Sequence, residues 1–336
     1  MTMLQSISKT MLALLCLAAG CGPVGQSGEE AQEITIYSGR SEDLIRPLLA
    51  QFTEETGIRV RVRYGQSSEM AATILEEGRN SPADLFFSQD AGALGALHHA
   101  HRLATLPDGL LERVDPAFRS PNGAWVGVSG RARVVVYNPT RVSPEELPVD
   151  LAGFCAPEWR GRVGWAPPNA SFQSFVTAMR VTRGDAAARE WLRCMQANGA
   201  RAFAKNTPIL AAVASGEIDV GLSNHYYLHT LEKEQGRAID ARNHYPEGGT
   251  LINVAGVGLL RTSPRQPLAL EFVRFLLSES AQHYFTHTTF EYPLARDAVP
   301  NDALPPLQTL HPDDLDLSRL DDLGGTLKLL QEAGVL

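Results

Sequence analysis

Ile34-Thr35-Ile36-Tyr37-Ser38-Gly39-Arg40-Ser41-Glu42-Asp43-Leu44-Ile45 passes from a strand pattern to a helix pattern within twelve residues. A short apolar run stops at a polar turn, and an acidic helix start follows. Ser41 stands where an N-cap belongs, with Glu42 and Asp43 favourable in the first turn. Leu44, Ile45, Leu48, Leu49 and Phe52 then recur at helical spacing. Pro47 within them is expected to kink or delay the helix, and Gly57 ends it. Val60 and Val62 alternate with Arg59, Arg61 and Arg63 in a second strand. Met70 to Glu77 forms a second helix, ended by Gly78, and Ala83-Asp84-Leu85-Phe86-Phe87 a third, buried strand. This β-α-β-α-β order implies a parallel sheet covered by helices. Ligands of such sheets bind beyond the carboxyl ends of the strands. The segments found there are Ser38-Gly39-Arg40-Ser41 and Ser88-Gln89-Asp90, so Ser38, Ser41, Gln89 and Asp90 belong in a cleft.

The alternation continues through an α/β chain. Trp125–Val128 and Arg133–Tyr137 read as two strands separated by Ser129-Gly130-Arg131. Val163–Trp165 is another strand, followed by Pro167 to Phe172 and a helix through Met179. Helices are expected over Ala186–Met195 and Ile209–Ala214, a strand over Ile252–Leu260, and helices over Pro267–Leu277 and Glu279–Phe285. Residues 297–322 are dense in Pro and Asp and read as an extended connector before a last helix, Leu327–Ala333. No internal repeat is present.

Between two of these elements lies Asp219-Val220-Gly221-Leu222-Ser223-Asn224-His225-Tyr226-Tyr227. An apolar strand leads into Tyr226 and Tyr227, and a helix-like stretch leads away. Two phenols fixed at such a junction can give two hard anionic oxygens to one cation. Fe3+ is hard and acidic enough to ionise tyrosine, whose free pKa is about 10. The same pair can serve as amphipathic packing, so it needs context.

The 336 residues suit one large or two medium domains, and 44% hydrophobic residues suffice for substantial cores. A net charge of −8, with no basic cluster carrying aromatics, excludes a nucleic-acid partner. Lys9, the apolar run Met11–Gly20 and then Cys21 look like a bacterial lipoprotein export signal over residues 1–20. The run is too short to span a bilayer, which takes about 20 residues. Leu17 lies one position further from Cys21 than a lipobox usually has it; Ala18 stands there instead. Residues 21–32 then form a polar tether. The chain is expected to be exported and held to the membrane only by lipid on Cys21, facing the periplasm or the cell exterior. Cys155 and Cys194 remain, in a compartment that permits disulfides. They can pair or stand as two buried thiols; neither has the neighbours of a zinc site.

Taken end to end, the chain resembles the bacterial ferric-ion-binding proteins of ABC transporters. The resemblance rests on Thr35-Ile36-Tyr37-Ser38-Gly39-Arg40, Ser81–Ser88, Ser129-Gly130-Arg131-Ala132-Arg133-Val134, Ala204-Lys205-Asn206, Gly216–Tyr227 and Glu291-Tyr292-Pro293-Leu294. It covers nearly all of residues 33–336. It implies the two-lobed type II periplasmic binding-protein fold, a mixed sheet covered by helices in each lobe, and a ligand cleft between them. The expected division is residues 33–128 plus 257–300 in one lobe and 129–256 plus 301–336 in the other. Hinges are expected near Arg133–Tyr137 and Val254–Leu260. A monomer is expected, docking on a membrane permease.

In that family two adjacent tyrosines bind iron, which implies that role for Tyr226 and Tyr227. Many members add a histidine after the first strand and a glutamate after the third. This chain departs at both, with Ser41 and Gln89, although Asp90 lies next to Gln89. The contacts for a small anion beside the metal look like Asn169, Ala170 and Ser171 at a helix start, supported by Asn206 and Asn224. Arg131 is expected to neutralise a phenolate or anion, or to bridge the lobes. Two phenolates supply few of the roughly six ligands that Fe3+ takes. The cargo is therefore expected to be iron with carbonate, phosphate or citrate as co-ligand, or an iron chelate.

Other chemistry finds less support. His98-His99-Ala100-His101 reads as a solvated helix terminus, and His225 and His229 as supports of the tyrosines rather than ligands. Gly127-Val128-Ser129-Gly130-Arg131 fails the nucleophile-elbow pattern because Arg131 replaces a required glycine. No P-loop, HExxH or dinucleotide glycine pattern occurs. Two alternatives stay open: a binding protein for another small anionic solute, and an exported hydrolase.

Overall fold

A computed structural model describes residues 32–247, 251–310 and 315–336. The expected export signal, Cys21, nearly all of the tether and residues 311–314 of the Pro- and Asp-dense connector lie outside the described residues. The chain begins with β1 (Glu33–Ser38), α1 (Glu42–Thr56), β2 (Arg59–Tyr64), α2 (Ser67–Glu77), β3 (Leu85–Ser88), α3 (Ala91–His99) and α4 (Asp108–Leu111). There follow β4 (Val126–Tyr137), β5 (Val163–Trp165), α5 (Ala170–Arg183), α6 (Asp185–Ala197), β6 (Arg201–Ala202), α7 (Asn206–Ala214), β7 (Val220–Asn224) and α8 (Tyr226–Gln235). The chain closes with β8 (Arg242–His244), β9 (Ile252–Leu259), α9 (Gln266–Leu276), α10 (Glu279–His287), β10 (Tyr292–Pro293) and α11 (Leu323–Glu332).

The opening stretch folds as its pattern dictates. Ile34 and Ile36 are buried in β1, and Ile45, Leu48, Leu49 and Phe52 line the buried side of α1. Pro47 sits inside α1 without dividing it. Gly57 closes the helix in the left-handed conformation, φ 71°, which costs a residue without Cβ little. β2 is the sheet edge; its exposed arginines alternate with half-buried Val60, Val62 and Tyr64. Arginines on an edge discourage pairing with other chains.

β1 pairs in parallel with β2 and β3, but β9 is antiparallel to both β3 and β4. The parallel arrangement expected of the first three strands is present, β5 is likewise parallel to β6 and β7, and the antiparallel β9 makes the sheet as a whole mixed. The sequence expectation of two strands around Ser129-Gly130-Arg131 is corrected: β4 is one strand of 12 residues, buried throughout. The polar side chains that suggested a turn are bonded internally. Ser129 Oγ donates to Glu291 at 2.8 Å, and the Arg131 guanidinium donates to the Gln89 carbonyl. A register shift between Gly127 and Ser129 absorbs the irregularity.

β4 joins two half-sheets. Val126–Ala132 pairs with β9, whereas Arg133–Tyr137 pairs with β7 and β8. The second half-sheet continues through β7, β5 and β6. The changeover falls between Ala132 and Arg133, and β9 stays with the first half-sheet, so boundaries at 128/129 and 256/257 lie inside strands. The C-terminal segment, expected wholly in the second lobe, touches both. Residues 317–321 lie along α3, where Gly92 and Gly95 admit the Leu320 and Ser318 carbonyls; a Cβ on Gly95 would come 2.2 Å from Ser318 O. α11 packs on α5 and α6, with Thr326 Oγ1 2.7 Å from Thr177 Oγ1.

Cys155 and Cys194 form a disulfide, Cα to Cα 5.6 Å, closing a loop of 39 residues. A bridge over such a loop stabilises by about 2–4 kcal/mol, chiefly through the unfolded chain. Reduction, or the Cys155→Ala/Cys194→Ala variant, is expected to lower the unfolding midpoint by several degrees. An unchanged midpoint in calorimetry would show that the bridge adds nothing.

Candidate functional site

β7 is buried along its whole length and ends at Asn224; His225 caps the helix that follows, and Tyr226 and Tyr227 are its first two residues. The pair is held at a strand-to-helix junction, where the helix N-terminus favours negative charge. Both side chains are half-buried, and the rings stack with centroids 4.4 Å apart and planes at 27°. Burial raises the Tyr226 phenol above its usual value; the neighbouring Tyr227 adds to this and the Arg131 charge opposes it. Without a cation the Tyr226 phenol stays protonated at neutral pH.

His225 is fully buried and both its ring nitrogens are engaged. Nδ1 accepts from the Ala132 amide at 3.1 Å, so Nε2 carries the proton and donates to the Phe290 carbonyl at 2.8 Å. Burial pushes its pKa down to about 3. It is a neutral strut that ties the start of α8 to β4 and to the loop before β10. His229, half-buried, stacks on Phe290 at 5.5 Å.

Arg133 is the residue that sequence reasoning missed. It is 4% exposed and has no carboxylate partner among the described residues. Nη2 donates to the Leu222 carbonyl at 3.1 Å; Nη1 reaches Asn224 Oδ1 at 3.4 Å and Ser171 Oγ at 3.5 Å. Its guanidinium lies 5.5 Å from the Phe172 ring centre. Burial pushes its pKa down to about 9, while Tyr227 and Tyr226 act in the opposite sense. A buried cation without a counter-charge is costly, so negative charge arriving nearby is favoured. The signal was in the sequence: one charge set beside the apolar run Val134-Val135-Val136 on a buried strand.

Four of the expected anion contacts gather at Arg133. Asn169 caps α5 by accepting from Ser171 N at 3.0 Å and from Ser171 Oγ at 2.5 Å. Asn206 Nδ2 donates to Ser171 Oγ at 3.3 Å and to Asn169 Oδ1 at 3.4 Å. Asn206 Oδ1 is buried without a hydrogen-bond partner. Asn224 is held by Arg133. Ala170 is apart from them, lining a cavity of about 230 Å³ with Gly39, Ser67, Gln89, Asp90 and Gln173.

The remaining cleft candidates are differently placed. Gln89 Oε1 is buried and unpartnered. The Asp90 side chain caps α3, its Oδ1 accepting from Ala93 N at 3.0 Å. Ser38 Oγ is bonded into the Arg40 turn, at 2.9 Å from Arg40 O and 3.0 Å from Arg40 N. Ser41 is exposed at the start of α1 and makes no capping bond. Arg131, 4% exposed, lies 3.9 Å from Glu291. Glu291 is itself gripped by both guanidinium nitrogens of Arg40 at 2.9 Å. Arg131 thus bridges from β4 to Gln89 and Glu291 and also acts on the Tyr226 phenol. Among the described residues no three His, Cys, Asp or Glu side chains converge as a metal site. A hard cation bound here would have phenols as its protein ligands.

Residues 80–316 match the family described as bacterial extracellular solute-binding proteins. The chain is 32% identical over 316 residues to the Fe(3+)-binding periplasmic protein of Serratia marcescens, covering 93% of each. Its structure superposes on iron-bound HitA from Pseudomonas aeruginosa with a TM-score of 0.83 at 32% identity, covering 90% of this chain and 99% of that one. It also superposes on a Trichodesmium protein, IdiA or FutA, in complex with iron and citrate, with a TM-score of 0.79 at 29% identity, covering 90% of this chain and 100% of the other. These relatives are binding proteins, which leaves the exported-hydrolase reading without support. The chain therefore belongs to the bacterial extracellular solute-binding proteins, in the family of the periplasmic ferric-iron-binding proteins.

Proposed function

We propose that this chain captures ferric iron in its interlobe cleft through Tyr226 and Tyr227 as phenolates. An exogenous anion or chelator completes the coordination, and the loaded protein delivers its cargo to the permease of an ABC importer. In this reading export and a lipid on Cys21 hold the protein at the membrane it serves. The observation that carries the reading is the buried Arg133, without a carboxylate among the described residues, set among Ser171, Asn224 and the tyrosine pair. Two phenolates would supply the charge it lacks. The gathering of Asn169, Ser171 and Asn206 at the start of α5, a helix N-terminus, supports the reading that an anion binds there. The relatives support iron as the cargo, and one structural neighbour holds citrate with its iron.

The metal's hardness suits the donors, since Fe3+ selects oxygen ligands. The neutral amide of Gln89 and the hydroxyl of Ser41 are weak substitutes for a carboxylate and an imidazole. An external anion is therefore required. The mature domain should be loaded with ferric citrate, passed through an anion-free column, and assayed for iron and citrate. Iron and citrate (or carbonate, or phosphate) are expected to stay with the protein together. Iron retained tightly with no anion would overturn the requirement. Citrate retained without iron would favour a second reading: the Arg133 cluster binds a small anionic solute by itself.

A further inference from the structure

The outer face of α10 carries a feature unrelated to the cleft. Its inner face is fixed: Ala281, Gln282, Phe285 and Thr286 are buried, and Gln282 Nε2 donates to the Val128 and Leu276 carbonyls at 2.9 and 2.7 Å. Tyr284 Oη donates to the Leu44 carbonyl at 2.7 Å. The opposite face presents His283 and His287, both exposed and one helical turn apart. Their rings already lie together, with centroids 4.1 Å apart and planes at 14°.

Two imidazoles at positions i and i+4 of a rigid helix are the spacing by which helices present a histidine pair to one metal ion. A second observation bears on the donor atoms. His287 Nδ1 lies 3.2 Å from the His283 carbonyl, which can only accept. The proton therefore sits on Nδ1, and Nε2 is left with its lone pair outward. Anchoring one ring nitrogen to a carbonyl is how metal-binding histidines fix their tautomer. The His283 ring makes no hydrogen bond among the described residues. His287 is also the last residue of α10, where the helix dipole favours a cation.

We propose that His283 and His287 form a second metal site, a surface chelate for a divalent transition ion that prefers imidazole: Cu2+, Ni2+ or Zn2+. Water completes its coordination, since no third His, Cys, Asp or Glu joins the pair among the described residues. The imidazole donors distinguish it from the all-oxygen phenol pair, so the two sites differ in preference.

The test is titration of the iron-free mature protein with Cu2+ alone, by calorimetry and electron paramagnetic resonance. Wild type is expected to bind one Cu2+ with a nitrogen-coordinated signal. His283→Ala and His287→Ala should each weaken that event at least tenfold, because a chelate fails when either arm is lost. Both residues are exposed, so both variants should keep the wild-type melting temperature and ferric citrate response. Unchanged Cu2+ affinity in either variant overturns the proposal. So does a halved stoichiometry at constant affinity, which would mean two independent imidazoles.

Discussion

Replacing Tyr226 and Tyr227 together by phenylalanine is expected to abolish the visible absorbance that ferric citrate produces with the wild-type mature domain. Such a band is charge transfer from phenolate to Fe3+, and it cannot form without the phenol oxygens. Phenylalanine keeps the two stacked, half-buried rings and removes only hydroxyls. Fold stability should therefore change by no more than about 1 kcal/mol, and circular dichroism would verify it. Iron affinity should fall much further. Loss of a residue that merely supports a ligand costs about 10–100-fold, so loss of both ligands should exceed about 100-fold. Proton release gives an independent readout. Metal binding displaces protons from its ligands, and burial raises the Tyr226 phenol in the free protein. Wild type should release two protons from the pair per iron bound, and each single variant one. Absence of a band in wild type, with and without carbonate, phosphate or citrate, would sink the tyrosinate reading and leave the anion-binding one. A band that survives in the double variant would point to other phenols. Tyr245 and Tyr292, whose hydroxyls lie 3.4 Å apart, would be examined first.

The fold was legible where local chemistry and burial agree. The first three strands and the two helices between them follow from periodicity and glycine stops, and the tyrosine junction from a buried run that meets a helix start. What misled was polarity inside buried strands. Ser129 and Arg131 read as a turn because a lone strand cannot satisfy them; their partners, Glu291 and the Gln89 carbonyl, lie 162 and 42 residues away. Asp90 is a candidate ligand as the neighbour of Gln89, and its sequence position does not disclose that it is also the N-cap of α3, with Oδ1 accepting from Ala93 N. The Asn169, Ser171, Asn206 and Asn224 cluster came from family resemblance, not from spacing, because its members stand on three different helices and strands. Arg133 is not legible as a site residue from periodicity alone, because its position fits the strand Arg133–Tyr137. A charge in a buried strand is itself the signal, and the structure shows that its partners are neutral.

Glu291→Gln is expected to give the largest loss of stability of any single substitution considered for this chain. Arg40 is 0% and Glu291 2% exposed, and the two are joined by paired 2.9 Å bonds. Ser129 Oγ adds a bond at 2.8 Å, Thr289 Oγ1 one at 3.3 Å, and Arg131 lies 3.9 Å away. Glutamine removes the negative charge that the buried Arg40 and Arg131 guanidiniums face. Breaking a buried pair from one side costs about 3–5 kcal/mol, because the partner is left uncompensated. For a chain of this size the unfolding midpoint should drop by roughly 5–8 °C. Burial alone would raise the Glu291 carboxyl, but Arg40, then Arg131 and Ser129, outweigh it and hold it below the usual range. A depressed folded value means that the contribution is present above the unfolded carboxylate value of about 4.3. It is lost as pH falls through the lower folded value. Melting curves between neutral and acid pH should therefore converge for wild type and variant at the acid end; parallel curves would show that the charge is not what stabilises. The same carboxylate acts on the site with the opposite sign. Glu291 raises the Tyr226 phenol and Arg131 lowers it. Removing Glu291 leaves Arg131 unopposed beside that phenol. The variant, while still folded, should form the ferric charge-transfer complex at lower pH than wild type. A substitution that weakens the fold and eases ionisation of the phenol separates the two roles of the buried network, since loss of structure alone would weaken iron binding at every pH.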